Sequence, residues 1–220
     1  MKYILFDFGG TLDSDGATWL ERFFLIYKEE GVVSNREEFD RAFYDSDDGL
    51  AAKHALAGLG LEETISLQVG DVLESLAPEN LALKDRLTSR FLQDCRSHFR
   101  KNRPMLERLG RKYTLGIVSN FYGNLDSCLR AEGLRDLFGT VADSGTLGIE
   151  KPAQGIFLHA AKSLGGVPQD CLMVGDSIPR DMRGAETLNM AHALLKPSPG
   201  AGCCPSVWPL SNLLDLEARL

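Results

Sequence analysis

The sequence predicts an α/β fold: a parallel sheet with helices on both faces, interrupted by an all-helical insert. Three observations carry this expectation. Five short apolar runs, YILFDF (3–8), TLGIVSN (114–120), TVAD (140–143), CLMVGD (171–176) and AHALL (191–195), are bounded by polar residues or glycine. Helical patterns separate the last four. Between about residue 16 and about residue 98 no strand is evident.

Each apolar run reads as a buried strand, because its apolar residues are contiguous rather than alternating. The helical patterns LDSCLRAEGL, PAQGIFLHAAKSLG and DMRGAETLN lie between them. Strand–helix–strand alternation implies right-handed crossovers and a sheet covered on both faces. In such sheets ligands bind at the carboxyl ends of the strands. Those ends carry Asp7, Ser119-Asn120, Asp143 and Asp176.

The insert contains four helical stretches: ATWLERFFLIYKEEGV, REEFDRAFY, ETISLQVGDVLESL and LKDRLTSRFLQDCRSHF. Trp19, Leu20, Phe23, Phe24 and Tyr27 form one stripe of the first, which reads as core. A stretch of this length can form its own bundle, placed over the carboxyl edge of the sheet. The segment YDSDDGLAAKH reads as a solvated acidic turn; it lacks the glutamate that an EF-hand loop needs at its twelfth position. Ser211-Asn212 followed by LLDLEARL reads as an N-cap and a closing helix. The expected units are residues 1–15 with 99–220, forming the core, and residues 16–98, forming the insert.

Composition limits the partners. The chain has 220 residues, 44% hydrophobic and 25% charged, with a net charge of −7. Such an acidic chain is a poor binder of nucleic acid or anionic membranes, yet it can hold a phosphate locally. No apolar stretch reaches membrane length, and the first residues break at Asp7, too early for a secretory segment. Five cysteines, Cys95, Cys128, Cys171, Cys203 and Cys204, lack paired spacing and read as free thiols of a cytoplasmic protein.

Four places carry chemistry. Asp7 follows a strand and precedes Gly9-Gly10-Thr11, where backbone N–H groups can approach an anion; its carboxylate suits a nucleophile or a metal ligand. Ser119 offers a hydroxyl to a phosphate oxygen. Lys151, in GIEKP, is a point positive charge. Asp176 and Asp181, in GDSIPRD, are hard oxygen ligands suited to Mg²⁺.

FDFGGTL, IVSN, EKP and GDSIPRD, in this order, resemble the four motifs of the haloacid dehalogenase-like superfamily, which is dominated by Mg²⁺-dependent phosphatases. The resemblance implies a Rossmann-like parallel sheet with a C1-type helical cap. It implies a hydrolase of phosphoric monoesters acting on a small phosphorylated metabolite. Asp7 would be the nucleophile that forms an aspartyl-phosphate. Asp7, the Gly9 carbonyl and Asp176 would hold Mg²⁺. Ser119 and the backbone N–H groups of Asn120 and Gly10 would hold phosphoryl oxygens, with Lys151 neutralising charge. Asp181 would orient a metal-bound water or Lys151.

The chain departs from the family pattern at Gly9, where the family's phosphatases carry the aspartate that protonates the leaving group. General acid–base catalysis is worth about 10²–10⁴-fold. Without it, aryl and acyl phosphates should be cleaved much faster than alkyl phosphates, unless Asp13, Asp15, Asp45, Asp47, Asp48 or His54 stands in. Three alternatives stay open: a metal-independent dehalogenase-type hydrolase, a phosphonatase type using a lysine such as Lys53, and a non-catalytic phosphate-binding protein.

Overall fold

The computed structural model describes every residue except 34 and 197–205, so Cys203 and Cys204 lie outside the described residues. Strand β1 (Tyr3–Phe6) is central to a six-stranded sheet. β2 (Thr114–Ser119), β3 (Thr140–Asp143), β4 (Cys171–Gly175), β5 (Ala191–Leu195) and β6 (Trp208–Leu210) complete it, in the order β3-β2-β1-β4-β5-β6. Every pairing is parallel, with Phe6 opposite Ile117 on one side and Val174 on the other. The five expected strands are all present. β6 was not expected: it has three residues, contains a proline and forms an edge, so it lacks the apolar run that marks a buried strand.

Alternation along β1 explains the two-faced covering. Ile4 and Phe6 point into one core, Leu5 into the other. The second core is closed by α7 (Gln154–Ser163) and α8 (Arg183–Glu186) through Ile156, Phe157, Ala160 and Ala185. The first is closed by α4 (Lys84–Gly110) and α5 (Leu125–Ala131), and by α9 (Asp215–Arg219) through Leu216. A one-turn helix, α6 (Ser144–Leu147), follows β3. The closing helix starts later than Ser211-Asn212 would place it. Instead Asp215 Oδ2 accepts the N–H groups of both residues in a turn ahead of α9.

The insert consists of α1 (Trp19–Glu29), α2 (Arg36–Lys53), α3 (Leu61–Leu76) and α4. Thr18 Oγ1 and Asn35 Oδ1 cap the first two by accepting the N–H groups of Glu21 and Glu37. Phe23, Tyr27, Phe39, Phe43, Ile65 and Phe91 fill its interior, so Phe23 and Tyr27 of the α1 stripe are core as expected, while Trp19, Leu20 and Phe24 are partly buried against it. α4 is 27 residues, about 40 Å, and runs unbroken through residues 98 and 99. Its first half packs with α1 and α3 through Leu87 and Phe91, and its second half packs on the sheet through Met105 and Leu109. The segment read as an acidic turn is instead the second half of α2: Phe43, Ser46 and Leu50 are buried, which keeps the helix going beyond Tyr44.

Candidate active site

The chain runs outward from β1 to β2 and β3, then returns to β4 on the other side of β1. The switch point therefore lies between β1 and β4, and a crevice opens there at the carboxyl ends. Asp7 and Asp176 follow these two strands. Ser119 ends β2, Lys151 precedes α7, and Asp181 lies in the single turn Ile178–Met182 after β4. The fold brings all five together. Lys151 Nζ donates to Asp7 Oδ1 and to Asp181 Oδ1, each at 2.7 Å. Ser119 Oγ donates to the same Asp7 oxygen at 2.8 Å. Asp181 Oδ2 accepts from the Ser177 N–H at 3.0 Å, so both of its oxygens are engaged. Thr11 Oγ1, which the motif reading had not singled out, donates to Asp176 Oδ1 at 3.2 Å.

Electrostatics follow from this crowding. Carboxylate oxygens of Asp7, Asp176 and Asp181 lie within 4.8 Å of one another. Three carboxyl groups face one ammonium, so negative charge is in surplus once they are ionised. Burial and the neighbouring Asp7 and Asp181 push the Asp176 carboxyl well above the usual range. Burial acts to lower the Lys151 ammonium, but Asp181 and Asp7 outweigh it and hold the pKa above its ordinary value. Hard oxygen donors carrying surplus negative charge fit a divalent cation such as Mg²⁺.

The loop Phe8–Leu12 is a single π turn whose two glycines have different reasons. Gly10 has φ +87°, and a Cβ there would stand 2.6 Å from Asp176 Oδ2. Glycine is needed on both counts. Its N–H donates to Asp13 Oδ1 at 2.7 Å, which corrects the expectation that this group faces a phosphoryl oxygen. Gly9 has an ordinary φ of −74° and lines the crevice. A Cβ there would meet the Trp19 indole. The Asn120 side chain is also occupied: its Nδ2 donates to the Lys151 carbonyl at 3.1 Å, and its Oδ1 accepts the Lys151 N–H at 2.7 Å. Asn120 thereby fixes the backbone that carries the lysine.

The crevice encloses about 500 Å³ between the strand ends and the insert, with Asp7, Trp19, Asp47, Tyr122, Lys151 and Asp176 among its lining. Of the carboxylates weighed as stand-ins, Asp13 is fully buried and bonded to Gly10, Trp19 and Arg22. Asp15 is held by Lys101 and the Leu213 N–H. Asp45 and Asp48 are exposed, and His54 pairs with Asp71. Lys53 is exposed, tied to Asp71 and Glu74, and does not line the crevice. Asp143 is spent on the N–H groups of Gly123, Leu125 and Gly145. Asp47 alone among these reaches the crevice. A helical reading of YDSDDG would have found it, since residue 47 stands four after Phe43 and eight after Phe39 on the inward side of α2. Tyr122 was missed; it stands three residues beyond Ser119, on the loop that leaves the same strand end.

A family model of haloacid dehalogenase-like hydrolases matches residues 1–189. The chain belongs to that family. Within it, a glyceraldehyde 3-phosphate phosphatase of Methanopyrus kandleri is 40% identical over 64 residues, 29% of this chain and 28% of the relative. A pyrimidine 5'-nucleotidase of Escherichia coli, YjjG, is 32% identical over 111 residues, 48% of this chain and 49% of the relative. The matches thus span half or less of these curated relatives. A HAD phosphatase structure from Thermococcus onnurineus superposes with a TM-score of 0.62 at 24% identity, covering 100% of this chain and 97% of the other, which shows the shared fold.

Proposed function

We propose that this haloacid dehalogenase-like protein is a Mg²⁺-dependent phosphohydrolase of small phosphorylated metabolites, working through an aspartyl-phosphate on Asp7. One observation carries the reading: Asp7 Oδ1 is fixed by Lys151 and Ser119 beside a surplus of carboxylate charge. The named phosphatases among its relatives support it. Asp7, Asp176 and the Gly9 carbonyl would hold the metal, which offsets the repulsion between a phosphate dianion and a carboxylate. The Asp7 carboxylate attacks phosphorus. Lys151 stabilises the charge that gathers there, and Asp181 keeps the ammonium in place. Ser119 Oγ and the Asn120 N–H take phosphoryl oxygens. Residues 16–98 act as the cap that closes over the substrate. The described cysteines Cys95, Cys128 and Cys171 are free thiols, which favours a reducing compartment such as the cytoplasm.

Hydrolysis of p-nitrophenyl phosphate with and without Mg²⁺, beside Asp7→Asn, tests this reading. Turnover that needs the metal and vanishes in the variant is expected. The amide is nearly isosteric but a poor nucleophile, so the fold should persist. Release of halide from haloacids without metal would overturn the reading in favour of dehalogenase chemistry. Mg²⁺ binding with no turnover on a wide panel of phosphate esters would favour a phosphate-binding protein.

A further inference from the structure

An alkyl phosphate leaves as an alkoxide unless its oxygen gains a proton as the bond to phosphorus breaks. Position 9 supplies none, because it has no side chain and its flank is taken by Trp19. The lining of the crevice contains four carboxylates: Asp7, Glu21, Asp47 and Asp176. Asp7 and Asp176 belong to the cation cluster. Glu21 is half exposed and bonded to Arg36, and that bond holds its pKa below the usual value. Asp47 differs from all three. It sits on α2, facing the strand ends, with Tyr122 Oη and Gln68 Nε2 both donating to its Oδ1. Among the described residues Oδ2 has no such partner, so one oxygen is anchored and the other is left for a proton.

We infer that Asp47 is the proton donor and acceptor of the reaction, supplied from the cap in place of the missing side chain at position 9. This rests on the phosphohydrolase reading. In the first step an Asp7 oxygen bonds to phosphorus, the bond from phosphorus to the leaving oxygen breaks, and the Asp47 proton moves to that oxygen to release an alcohol. In the second step Asp47, now a carboxylate, takes a proton from water as the water oxygen bonds to phosphorus. The bond from phosphorus to Asp7 breaks, phosphate leaves, and both carboxyl groups return to their starting states.

The surroundings hold the proton of Asp47 more tightly than water would. Burial raises the Asp47 pKa and Asp48, on the same helix, adds to this. The Tyr122 hydroxyl from the β2 loop, Gln68 from α3 and the Arg180 charge from the β4 loop act against it, and burial prevails.

The test uses wild type, Asp47→Asn and Tyr122→Phe on esters from p-nitrophenyl phosphate to glycerol phosphate, across pH with Mg²⁺, with a melting curve for each. In single turnover, Asp47→Asn should slow release of the alkyl alcohol by about 10²–10⁴-fold while the first release of p-nitrophenol stays near wild type. Steady-state turnover should fall on both esters, with a burst on the aryl one, because the second step loses its base. The alkaline limb of the wild-type alkyl profile should vanish in that variant. It should move to higher pH in Tyr122→Phe, because losing a hydrogen bond to the carboxylate favours its protonated form. Equal losses on both esters in the alcohol-releasing step of a folded Asp47→Asn overturn the inference. So does a wild type as sensitive to the leaving group as the variant. If Asp47→Asn fails to fold, an unmoved limb in Tyr122→Phe overturns it. Wild type inert on every ester defeats the phosphohydrolase reading itself, and the inference with it. Aryl turnover that depends on Asp7 keeps that reading whatever Asp47 does.

Discussion

The Trp19 indole occupies the space into which a side chain at Gly9 would project: a Cβ on Gly9 would stand 3.1 Å from Trp19 Nε1. The ring has little freedom to retreat. Its Nε1 donates to Asp13 Oδ2 at 2.6 Å, and it meets Phe91 and Phe121 edge to face. Glycine at position 9 and tryptophan at position 19 are therefore one packing unit joining the nucleophile loop to α1.

Gly9→Asp should consequently destabilise the protein, by about 1–3 kcal/mol, the usual cost of overpacking. Backbone strain plays no part, since φ −74° and ψ 123° suit any residue. Urea unfolding of Gly9→Ala, Trp19→Ala and the double variant isolates the clash. The double variant should lose less than the two single losses combined. Additive losses, or a Gly9→Ala protein as stable as wild type, would show that the indole yields freely.

Asp13→Asn should cost about 3 kcal/mol, at the low end for breaking a buried ion pair. Arg22 would keep Asp94 and the Cys95 sulfur as partners, but its buried carboxylate contact would lose its charge. The same change loosens the acceptor of the Gly10 N–H, so kcat should fall along with stability. Urea unfolding and turnover measured together check this. A variant with full stability would remove Asp13 from its place as the tie between the nucleophile loop and α1.

The strands and the order of the chemical motifs are legible in sequence because each depends on local pattern. YILF is buried on both sides wherever it lies, and a polar residue just beyond it must sit at the sheet edge. What depends on distant partners is not legible. That Gly10's N–H is consumed by Asp13, or that Asn120's side chain grips Lys151 across 31 positions, follows only from the folded loops. Asp47 lies between these cases. Its helical spacing is local, but acidic neighbours disguise it as a turn, and its reach to Tyr122 exists only once α2 lies over β2.

Asn120→Ala should lower kcat on p-nitrophenyl phosphate with KM changed less. The side chain holds both the N–H and the carbonyl of Lys151, and it touches neither Asp7 nor the cation cluster. Its loss lets the ammonium drift, and a misplacement of about 1 Å can cost about 10²-fold in rate. Asn120→Asp keeps the acceptor for the Lys151 N–H and should recover part of the loss. A rise in KM alone would instead mark the Asn120 side chain as a substrate contact.

Mg²⁺ should raise the melting temperature, and the two acidic residues after β4 should differ in how they support this. Binding to the native state stabilises it by about 2.7 kcal/mol at a hundredfold excess over Kd. The metal also relieves repulsion that is present without it. Among the described residues Asp176 has only the Thr11 hydroxyl as a partner, so its carboxylate is available to a cation. Asp181 spends both oxygens, on Lys151 and on the Ser177 N–H. Asp176→Ala should therefore abolish most of the shift and weaken Mg²⁺ in calorimetric titration, while the metal-free protein stays as stable as wild type or gains from reduced repulsion. Asp181→Ala should largely keep the Mg²⁺ affinity but lose stability with or without metal, since Lys151 is left buried with, among the described residues, Asp7 as its one carboxylate partner. Equal Mg²⁺ affinities in the two variants would mean that Asp181 also holds the ion, and would undo the division of labour between the two residues.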